Sequence, residues 1–331
     1  MARCPFLAFA EGMLLRPPQA PVYGHSPQDV GNYYHHVMRP YVHAYRAAKR
    51  NGEAWTKEKS DAAVDAICQE VDQNEFLTGI YREDARAHQA ARQQRIAMRT
   101  TCWCVSQQME DSEYQPEKTE IRLSQHVELP GGDGFTMRGT IDRLDMAKVA
   151  DTPYVRIIDY KKSGTDVDYT ALFYGTSLQL PLYTGAAAQQ YQARPGGAFF
   201  IQLQDGDISA PPERAERMRR DLHRMQGVYD IQTAELMARE QTLAAHVKGG
   251  HNHALTAEQF DALIAHGYQT AADLYVRKQA GVTHPFPLKQ ALDSCAHCAL
   301  AAACGFEEGN HACRRAQPVS KDAFFEEVRR S

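Results

Sequence analysis

The sequence predicts an α/β fold of mixed α+β type, in which a central mixed sheet is flanked by helices. Apolar residues recur at helical spacing through most of residues 26–110, whereas three runs between residues 119 and 162 alternate as strands do. A helix, a short strand and two long helices complete the chain. Strands that are preceded and followed by helices indicate a sheet covered by helical layers, with the first helices as an N-terminal insertion.

The composition is that of a globular protein. The chain has 331 residues, of which 43% are hydrophobic and 24% charged, which excludes global disorder. The net charge of −4 gives no sign of a nucleic-acid partner, although local basic patches are compatible with it. Neither a secretory signal nor an apolar segment of membrane length is present, so we expect a cytoplasmic protein without a membrane partner.

Local patterns predict the individual elements. A helix is expected over residues 26–49, beginning at Ser26 and kinked or divided at Pro40, and further helices fill residues 57–110. A glycine-rich turn at residues 131–134 separates two alternating runs, and "TPYVRIIDYKK" follows as a third strand. Helices are then expected over residues 176–191, 212–247 and 256–280, with a strand over residues 196–204.

We expect these elements to form one domain of three segments. Residues 1–115 form an N-terminal cysteine segment and a helical region, and residues 116–210 hold the sheet with its polar motifs. Residues 211–331 form a second helical region that carries a cysteine cluster.

Two acidic motifs meet at the end of the predicted strands. In "DYKKSG", Asp159 and Lys161 are two residues apart on a strand and therefore point to the same face. Asp142, in "GTIDRLD", lies on the neighbouring strand within reach of both. Two close carboxylates need a cation, and their hard oxygen ligands suit Mg²⁺ or Mn²⁺. Simple ion pairing with Arg143, Arg156 or Lys161 is the alternative from the residues alone.

The motifs "GTIDRLD", "IIDYKKSG" and "LQLPLY" resemble, in order and spacing, those of RecB-like nucleases of the PD-(D/E)XK superfamily. The resemblance implies a Mg²⁺-dependent deoxyribonuclease that hydrolyses phosphodiester bonds as an exonuclease. It implies metal binding by Asp142 and Asp159, with Lys161 as the catalytic lysine. It further implies that Gln179 and Tyr183, in the helix motif, position catalytic groups or substrate.

The same resemblance implies two further metal ligands. "GNYYHHVM" matches the helix motif G-x-x-x-H with Gly31 and His35, so His35 is expected to reach the metal. Glu128, in "HVELP", matches a strand glutamate that often precedes the G-x-I-D strand, and it is expected to support the metal or to pair with a basic residue. Without that context, a histidine on an aromatic-rich helix is more often a packed or surface residue.

The cysteines form a second pattern. Cys295, Cys298 and Cys304 cluster in "SCAHCALAAACGF", and Cys4 lies near the opposite end of the chain. Reduced cysteines that cluster in this way are expected to bind a metal ion or a cluster. Spacing alone fits a tetrahedral zinc ion or an iron–sulfur cluster, and buried free cysteines are the alternative. The remaining four are expected to be packing residues: Cys68, Cys102, Cys104 and Cys313.

This arrangement resembles the iron–sulfur staple of B subunits of AddAB-type helicase-nucleases, which implies a structural [4Fe-4S] cluster joining the two ends. It also implies a role in double-strand-break repair and recombination, on single-stranded DNA ends, with 5′ ends favoured, and with a helicase-nuclease subunit as partner. The sequence contains no G-x-x-x-x-G-K-[S/T] loop for ATP. DNA contacts are expected from four residues near the motifs: Arg138, Arg143, Lys162 and Tyr174.

Two other functions stay open at this point. A CRISPR-associated iron–sulfur exonuclease would share the fold and the cysteines, but such enzymes usually carry E-x-K where this chain has Asp159, Tyr160 and Lys161. A non-catalytic module that binds single-stranded DNA or a helicase is the other alternative. The intact Asp142, Asp159 and Lys161 argue against such a module, because a pure binding protein has no use for desolvated carboxylates.

Overall fold

Six strands form one mixed sheet in the computed structural model of the protein. They are β1 (Gln115–Glu128), β2 (Gly134–Val149), β3 (Thr152–Lys161), β4 (Arg194–Gln202), β5 (Gln226–Asp230) and β6 (Ala254–Leu255). The strands lie side by side in chain order, and β1–β2, β2–β3 and β4–β5 pair antiparallel. The pairs β3–β4 and β5–β6 are parallel. The predicted mixed sheet flanked by helices is therefore confirmed.

The structure describes residues 1–13, 27–73, 85–129, 132–164, 166–204, 210–249, 253–296 and 298–330. Before the sheet lie α1 (Pro5–Gly12), α2 (Pro27–Arg50), α3 (Lys57–Gln73) and α4 (Ala85–Glu110). The later helices are α5 (Tyr169–Phe173), α6 (Gln179–Gln190), α7 (Pro212–Leu222), α8 (Leu243–His246), α9 (Ala257–Gln279), α10 (Ala301–Cys304) and α11 (Lys321–Arg330). A 3₁₀ helix (Ile231–Met237) follows β5, and β7 (Leu288–Gln290) pairs with β8 (Arg314–Ala316) in a separate parallel sheet.

The two faces of the sheet pack against different helices. One core contains Tyr41 of α2 and Val105 of α4, and the other contains Leu180 of α6 and Phe260 of α9. Strand β3 supplies both cores, because its successive side chains point to opposite faces. Since most of β3 and residues 141–145 of β2 are buried, polar side chains there are costly unless they are paired or bind a cation.

Helix α2 continues through Pro40 without a division. A proline in a helix interior removes one backbone hydrogen bond and costs roughly 3 kcal/mol. Here Val37 and Met38 before it and Tyr41 and Val42 after it are all buried in the same core, which offsets that cost. Pro40 therefore does not divide the helix, the alternative of a kink stays a prediction, and the expected start at Ser26 lies outside the described residues.

The predicted helix over residues 212–247 is wrong. Helix α7 ends at Leu222, and the chain then forms β5, whose five residues are all buried. A Cβ atom at Gly227 would collide with the backbone of Ala198 and Phe199 on β4. The glycine thus permits the close approach of β5 to β4, a contact that helical periodicity does not reveal. The helix predicted over residues 256–280 agrees with α9.

Strands β1 to β4 occupy the segment predicted as the sheet core, but β5 and β6 extend the same sheet past residue 210. The segment boundaries at residues 115 and 210 thus stay a prediction. Within the described ranges, no helix combines the length and the apolar character that crossing a membrane requires.

Candidate active site

Asp142 and Asp159 meet at one end of the β2–β3 pair. Arg143 pairs with Ile158, so the preceding Asp142 and the following Asp159 face each other across the two strands. Both aspartates are buried, at 8% and 5% exposure. Asp142 Oδ2 accepts a hydrogen bond of 2.6 Å from the backbone N–H of Tyr160. The strand pairing predicted from the sequence therefore does bring the two carboxylates together.

Lys161 and Gln179 complete a small polar network around Asp159. The Lys161 ammonium lies 2.5 Å from Asp159 Oδ2, an ion-pair contact, and it donates a 2.9 Å hydrogen bond to Gln179 Oε1. Gln179, the first residue of α6, donates from Nε2 to Asp159 Oδ1. One amide thus holds the carboxylate and the ammonium in a fixed relation, as expected for a residue that positions catalytic groups.

Tyr183 lies one turn further along α6 and packs over the "GTID" motif. A Cβ atom added to Gly139 would lie within 2.6 Å of two carbons of the Tyr183 ring. The glycine of the strand motif and the tyrosine of the helix motif are therefore parts of one contact. This contact fixes α6, and with it Gln179, against β2.

His35 and Glu120 approach the same point from α2 and β1. His35 Nδ1 lies 3.4 Å from Asp142 Oδ1. Glu120 lies opposite Asp142, because its neighbours Thr119 and Ile121 pair with the neighbours of Asp142. Ligand atoms of His35, Glu120 and Asp142 all lie within 4.8 Å of one another, so these three residues could hold a metal ion.

Glu128 does not belong to this group. It is exposed at the far end of β1, where it pairs with Gly134, eight residues from Glu120. At about 3.3 Å per residue, that separation is roughly 26 Å along the strand. The prediction of Glu128 as a metal ligand is therefore wrong, and Glu120 is the strand glutamate at the site. Its position in register with Asp142 was the available signal.

The pKa values at the site reflect crowded negative charge. Burial and the neighbouring Asp142 raise the pKa of Asp159 to about 6, although Lys161 opposes the shift. Burial and Asp142 also raise the pKa of Glu120. Burial lowers the pKa of His35, but its hydrogen bond to Asp142 and the charge of Asp142 outweigh this effect and raise it. Such carboxylates fit a hard divalent cation, which would neutralise them.

A second charged cluster lies on the opposite face of the same strands. Arg143 donates to both oxygens of Asp145, at 2.9 and 3.0 Å, and to the Tyr160 hydroxyl at 3.0 Å. Arg156 donates two hydrogen bonds to Asp145 Oδ2, at 2.6 and 3.1 Å. Arg143, Asp145 and Arg156 are each 0% exposed. We call these three residues the buried arginine cluster.

The burial of Arg143 contradicts its predicted contact with DNA. Adjacent strand residues point to opposite faces, so Arg143 faces the core where Asp142 faces the site. The alternative that Asp142 and Asp159 merely pair with Arg143 or Arg156 fails for the same reason, because both arginines bind Asp145 instead. Lys161, in contrast, does pair with Asp159.

The other predicted DNA contacts lie in different surroundings. Arg138 is exposed on β2, on the face opposite to the buried Ile141. Lys162 is half-buried just after β3, where its carbonyl accepts a hydrogen bond from Gln204 N. The Tyr174 hydroxyl accepts a 3.1 Å hydrogen bond from Gln317 N. Their contacts with DNA stay a prediction.

The four predicted cysteine ligands line one cavity of about 60 Å³. Cys4 stands at the start of α1, and Cys295, Cys298 and Cys304 come from the segment around α10. Apolar side chains close the cavity: Phe6, Leu7, Pro285, Pro287 and Phe306. The structure therefore brings together the cysteines from the two ends of the chain. Of the others, Cys68, Cys102 and Cys104 are buried, as predicted.

Comparison with known proteins gives a consistent assignment. A profile of the PD-(D/E)XK nuclease superfamily matches residues 1–305 of the chain. The B subunit of the ATP-dependent helicase/deoxyribonuclease of Alkaliphilus oremlandii is 26% identical over 94% of this chain and 30% of that protein. The proteins of the same name from Acetivibrio thermocellus and Moorella thermoacetica are 25% and 29% identical, over 92% and 72% of this chain. The chain matches 29% and 22% of their lengths, so it spans less than a third of these relatives.

Proposed function

Because the chain belongs to the PD-(D/E)XK nuclease superfamily, we propose that it is a metal-dependent deoxyribonuclease that acts as an exonuclease on single-stranded DNA ends. One observation carries the proposal: Asp142, Asp159 and Lys161 converge at one end of the β2–β3 pair, beside a third carboxylate and a histidine. Carboxylates of raised pKa that converge with a lysine are typical of a site built around a cation.

The donor set fits Mg²⁺ or Mn²⁺. Asp142 and Glu120 would supply hard oxygen ligands and His35 a nitrogen, and Asp159, which faces Asp142 across β2 and β3, would add a further oxygen. A divalent cation bound there would polarise the scissile phosphate and lower the pKa of a coordinated water. Tyr160 N–H holds Asp142 Oδ2, which leaves Oδ1 facing His35 as a ligand atom.

Lys161 is the proposed catalytic lysine. Its ammonium is held by Asp159 and Gln179, and its side chain is about one-third exposed, so substrate can reach it. There it would orient the attacking water and offset the negative charge that develops on the phosphate. Gln179 keeps Lys161 and Asp159 aligned, and Tyr183 keeps α6 in place.

The test is the release of nucleotides from end-labelled single-stranded DNA in Mg²⁺. Lys161→Ala is expected to lower the rate by about 10²- to 10³-fold, the usual cost of losing one group that stabilises transition-state charge. Lys148→Ala is the matched control, because it removes the same charge from an exposed lysine near the other end of β2, and it should retain most of the activity. A wild-type chain without Mg²⁺-dependent cleavage, or equal losses in both variants, would refute the proposal.

The relatives suggest the setting of this activity. They are named as subunits of an ATP-dependent helicase/deoxyribonuclease. We therefore propose a role in DNA double-strand-break repair with a helicase-nuclease partner subunit. Co-purification with that subunit, and processing of duplex ends only in its presence, would support the role. Nucleotide release on 5′-labelled and 3′-labelled strands would test the expected preference for 5′ ends.

The cysteine cavity supports a structural [4Fe-4S] cluster as a second cofactor. A zinc ion with Zn–S bonds of about 2.3 Å would place its four sulfurs roughly 3.8 Å apart. Among the described cysteines, no three sulfurs lie within 4.8 Å of one another. The cysteine sulfurs are therefore spaced more widely around their common cavity than a zinc ion requires, and this spacing favours the larger [4Fe-4S] cluster. Such a cluster would tie α1 to the segment around α10 and reduce the chain entropy of the unfolded protein.

Iron and acid-labile sulfide analysis of anaerobically purified protein tests the cluster. The wild-type chain should contain both, and Cys298→Ala should lose them together with thermal stability. Cys313→Ala is the matched control, because Cys313 is half-buried but does not line the cavity, and it should retain the iron. Stoichiometric zinc without iron in the wild-type protein would contradict the proposal.

A further inference from the structure

One face of α2 carries a row of basic side chains that begins at the metal site. His35, Arg39, His43, Arg46 and Arg50 follow one another at intervals of three or four residues, which places them on the same side of a helix. Arg39, His43 and Arg50 are exposed, and Arg46 is half-buried. We call the four residues after His35 the α2 stripe. From His35 to Arg50 the row is about 22 Å long at 1.5 Å per residue.

The α2 stripe runs along β1, away from the metal site. His43 Nε2 forms a 2.8 Å hydrogen bond with Thr119 Oγ1, and Arg46 lies 3.6 Å from Glu117 Oε2. From its N-terminal towards its C-terminal end, α2 therefore passes Glu120, Thr119 and Glu117 in that order. The Arg46–Glu117 pair is half-exposed and long, so it leaves the guanidinium available to another anion.

The positive charge of the α2 stripe is concentrated. Burial lowers the pKa of His43, and the nearby Arg46, Arg39 and Arg50 lower it further. Arg39 follows His35 by one turn of α2, so its charge lies next to the metal site. This field stands out in a chain whose net charge is −4, and it would attract a polyanion.

A second basic surface extends from the metal site in the direction opposite to the α2 stripe. On β1 and β2, Arg122 and Arg138 lie on the face opposite to Ile121 and Ile141, which are buried in the core of α6 and α9. Arg122 pairs with Thr140 and Arg138 with Ser124, and both arginines are exposed. These two arginines lie on the side of Glu120 opposite to Thr119 and Glu117. The metal site therefore lies between two basic surfaces.

We propose that the substrate strand lies along this track, with its phosphates against the α2 stripe on one side of the scissile bond and against Arg122 and Arg138 on the other. The proposal rests on the nuclease function proposed above and adds the path of the strand through the same site. Guanidinium groups bind phosphates without regard to base, so the track would hold DNA of any sequence. The carboxylates and Lys161 would then face one phosphodiester near its middle.

The salt dependence of DNA binding tests the track. Binding of a labelled single-stranded oligonucleotide is measured in EDTA at several salt concentrations, with Lys161→Ala as the parent so that no strand is cut. Each phosphate contact with single-stranded DNA contributes about 0.7 to the slope of log K against log salt. Replacing Arg39, Arg46 and Arg50 with alanine should lower the magnitude of the slope by roughly 2 and weaken low-salt binding at least about tenfold.

A charge-matched variant provides the control. Arg315, Arg329 and Arg330 are three exposed arginines near the C-terminal end of the described chain, and replacing them with alanine removes the same charge. Their loss should leave the slope nearly unchanged, whereas replacing Arg122 and Arg138 should lower its magnitude by about 1.4. A variant with lysine at positions 39, 46 and 50 should keep the slope, which separates lost charge from lost folding. Equal slopes for the two triple-alanine variants would overturn the track.

The outcomes also separate the track from the nuclease proposal. If the wild-type chain cleaves DNA in Mg²⁺ and the α2 stripe does not affect the slope, the track alone fails. If the α2 stripe sets the slope and the chain does not cleave DNA, the nuclease proposal fails and the track stands as a binding surface.

Discussion

Asp142 and Asp145 stand three residues apart on β2, yet they have opposite surroundings. Asp145 accepts hydrogen bonds from two buried arginines and is fully satisfied by the protein. Asp142 faces Asp159 and Glu120, with a histidine and one backbone N–H as its nearest polar partners. The protein thus neutralises Asp145 with two arginines, whereas it leaves the group of carboxylates around Asp142 with too little positive charge to neutralise it.

This comparison separates a structural charge from a functional one. The buried arginine cluster links β2 to β3, since Asp145 and Arg156 pair across the strands and Arg143 reaches Tyr160. The N–H of Tyr160 in turn holds Asp142. Asp145 therefore helps to position Asp142, and the two act through different faces of the same strands.

The largest effect is expected at Asp145. Asp145→Asn leaves two buried guanidinium groups without a countercharge, and breaking a buried ion pair on one side costs about 3–5 kcal/mol. Urea denaturation of the metal-free protein should show a loss of this size. Asp142→Asn, the matched change in the same motif, should cost far less, because it removes a repulsive charge. Similar losses of stability in the two variants would contradict the proposed difference between Asp145 and Asp142.

Asp159 should behave as the opposite of Asp145 when the metal is absent. Its pKa is raised to about 6, so ionisation destabilises the fold, and the stability of the metal-free protein should fall as the pH rises from about 4 to 6. In EDTA, Asp159→Asn should then be more stable than the wild-type chain by about 1–3 kcal/mol at pH 7.5. This gain should shrink towards pH 4, where the native carboxyl is protonated.

Thermal melts of both proteins, with EDTA and with Mg²⁺, measure this effect. Mg²⁺ should stabilise the wild-type chain and not Asp159→Asn, because only the former retains the ligand. A variant that is less stable than the wild-type chain in EDTA at every pH would show that Asp159 has a structural role like that of Asp145.

The smallest effect is expected from two glutamates on β1. Glu120→Gln should weaken Mn²⁺ binding about tenfold, or roughly 1.4 kcal/mol, because it removes one charged ligand and leaves the others in place. Glu128→Gln makes the same change at the far end of the strand and should leave the affinity unchanged. Titration calorimetry of both variants measures the difference, and a larger loss in Glu128→Gln would reverse the assignment.

The sequence was sufficient for those parts of the site that depend on strand alternation. Asp159 and Lys161 are two residues apart on one strand, and a short turn brings Asp142 beside them, so their meeting follows from local pattern. The same alternation would have placed Arg143 in the core, had it been applied to the residue after Asp142. Glu120 was missed because its role depends on the pairing register of β1 with β2, which the turn between the strands fixes but which alternation within one strand does not reveal.

In the fold, too, the elements with strong local patterns could be predicted from the sequence. The long alternating runs gave β1, β2 and β3, and the longest amphipathic stretches gave α2 and α9. Strand β5 was missed because its five residues lie between helical segments, and its position depends on the contact of Gly227 with β4. Pro40 does not divide α2, since the buried neighbours on both sides outweigh its local preference.

Glu120 also illustrates a trade-off between stability and function on a single residue. Its backbone has φ of 51°, in the left-handed region that side chains other than glycine occupy at a cost of about 1–2 kcal/mol. A glycine at this position would relax the backbone and discard the carboxylate. Selection for stability alone would therefore remove Glu120. A stabilised variant of this protein should keep Glu120 and carry its substitutions at other positions.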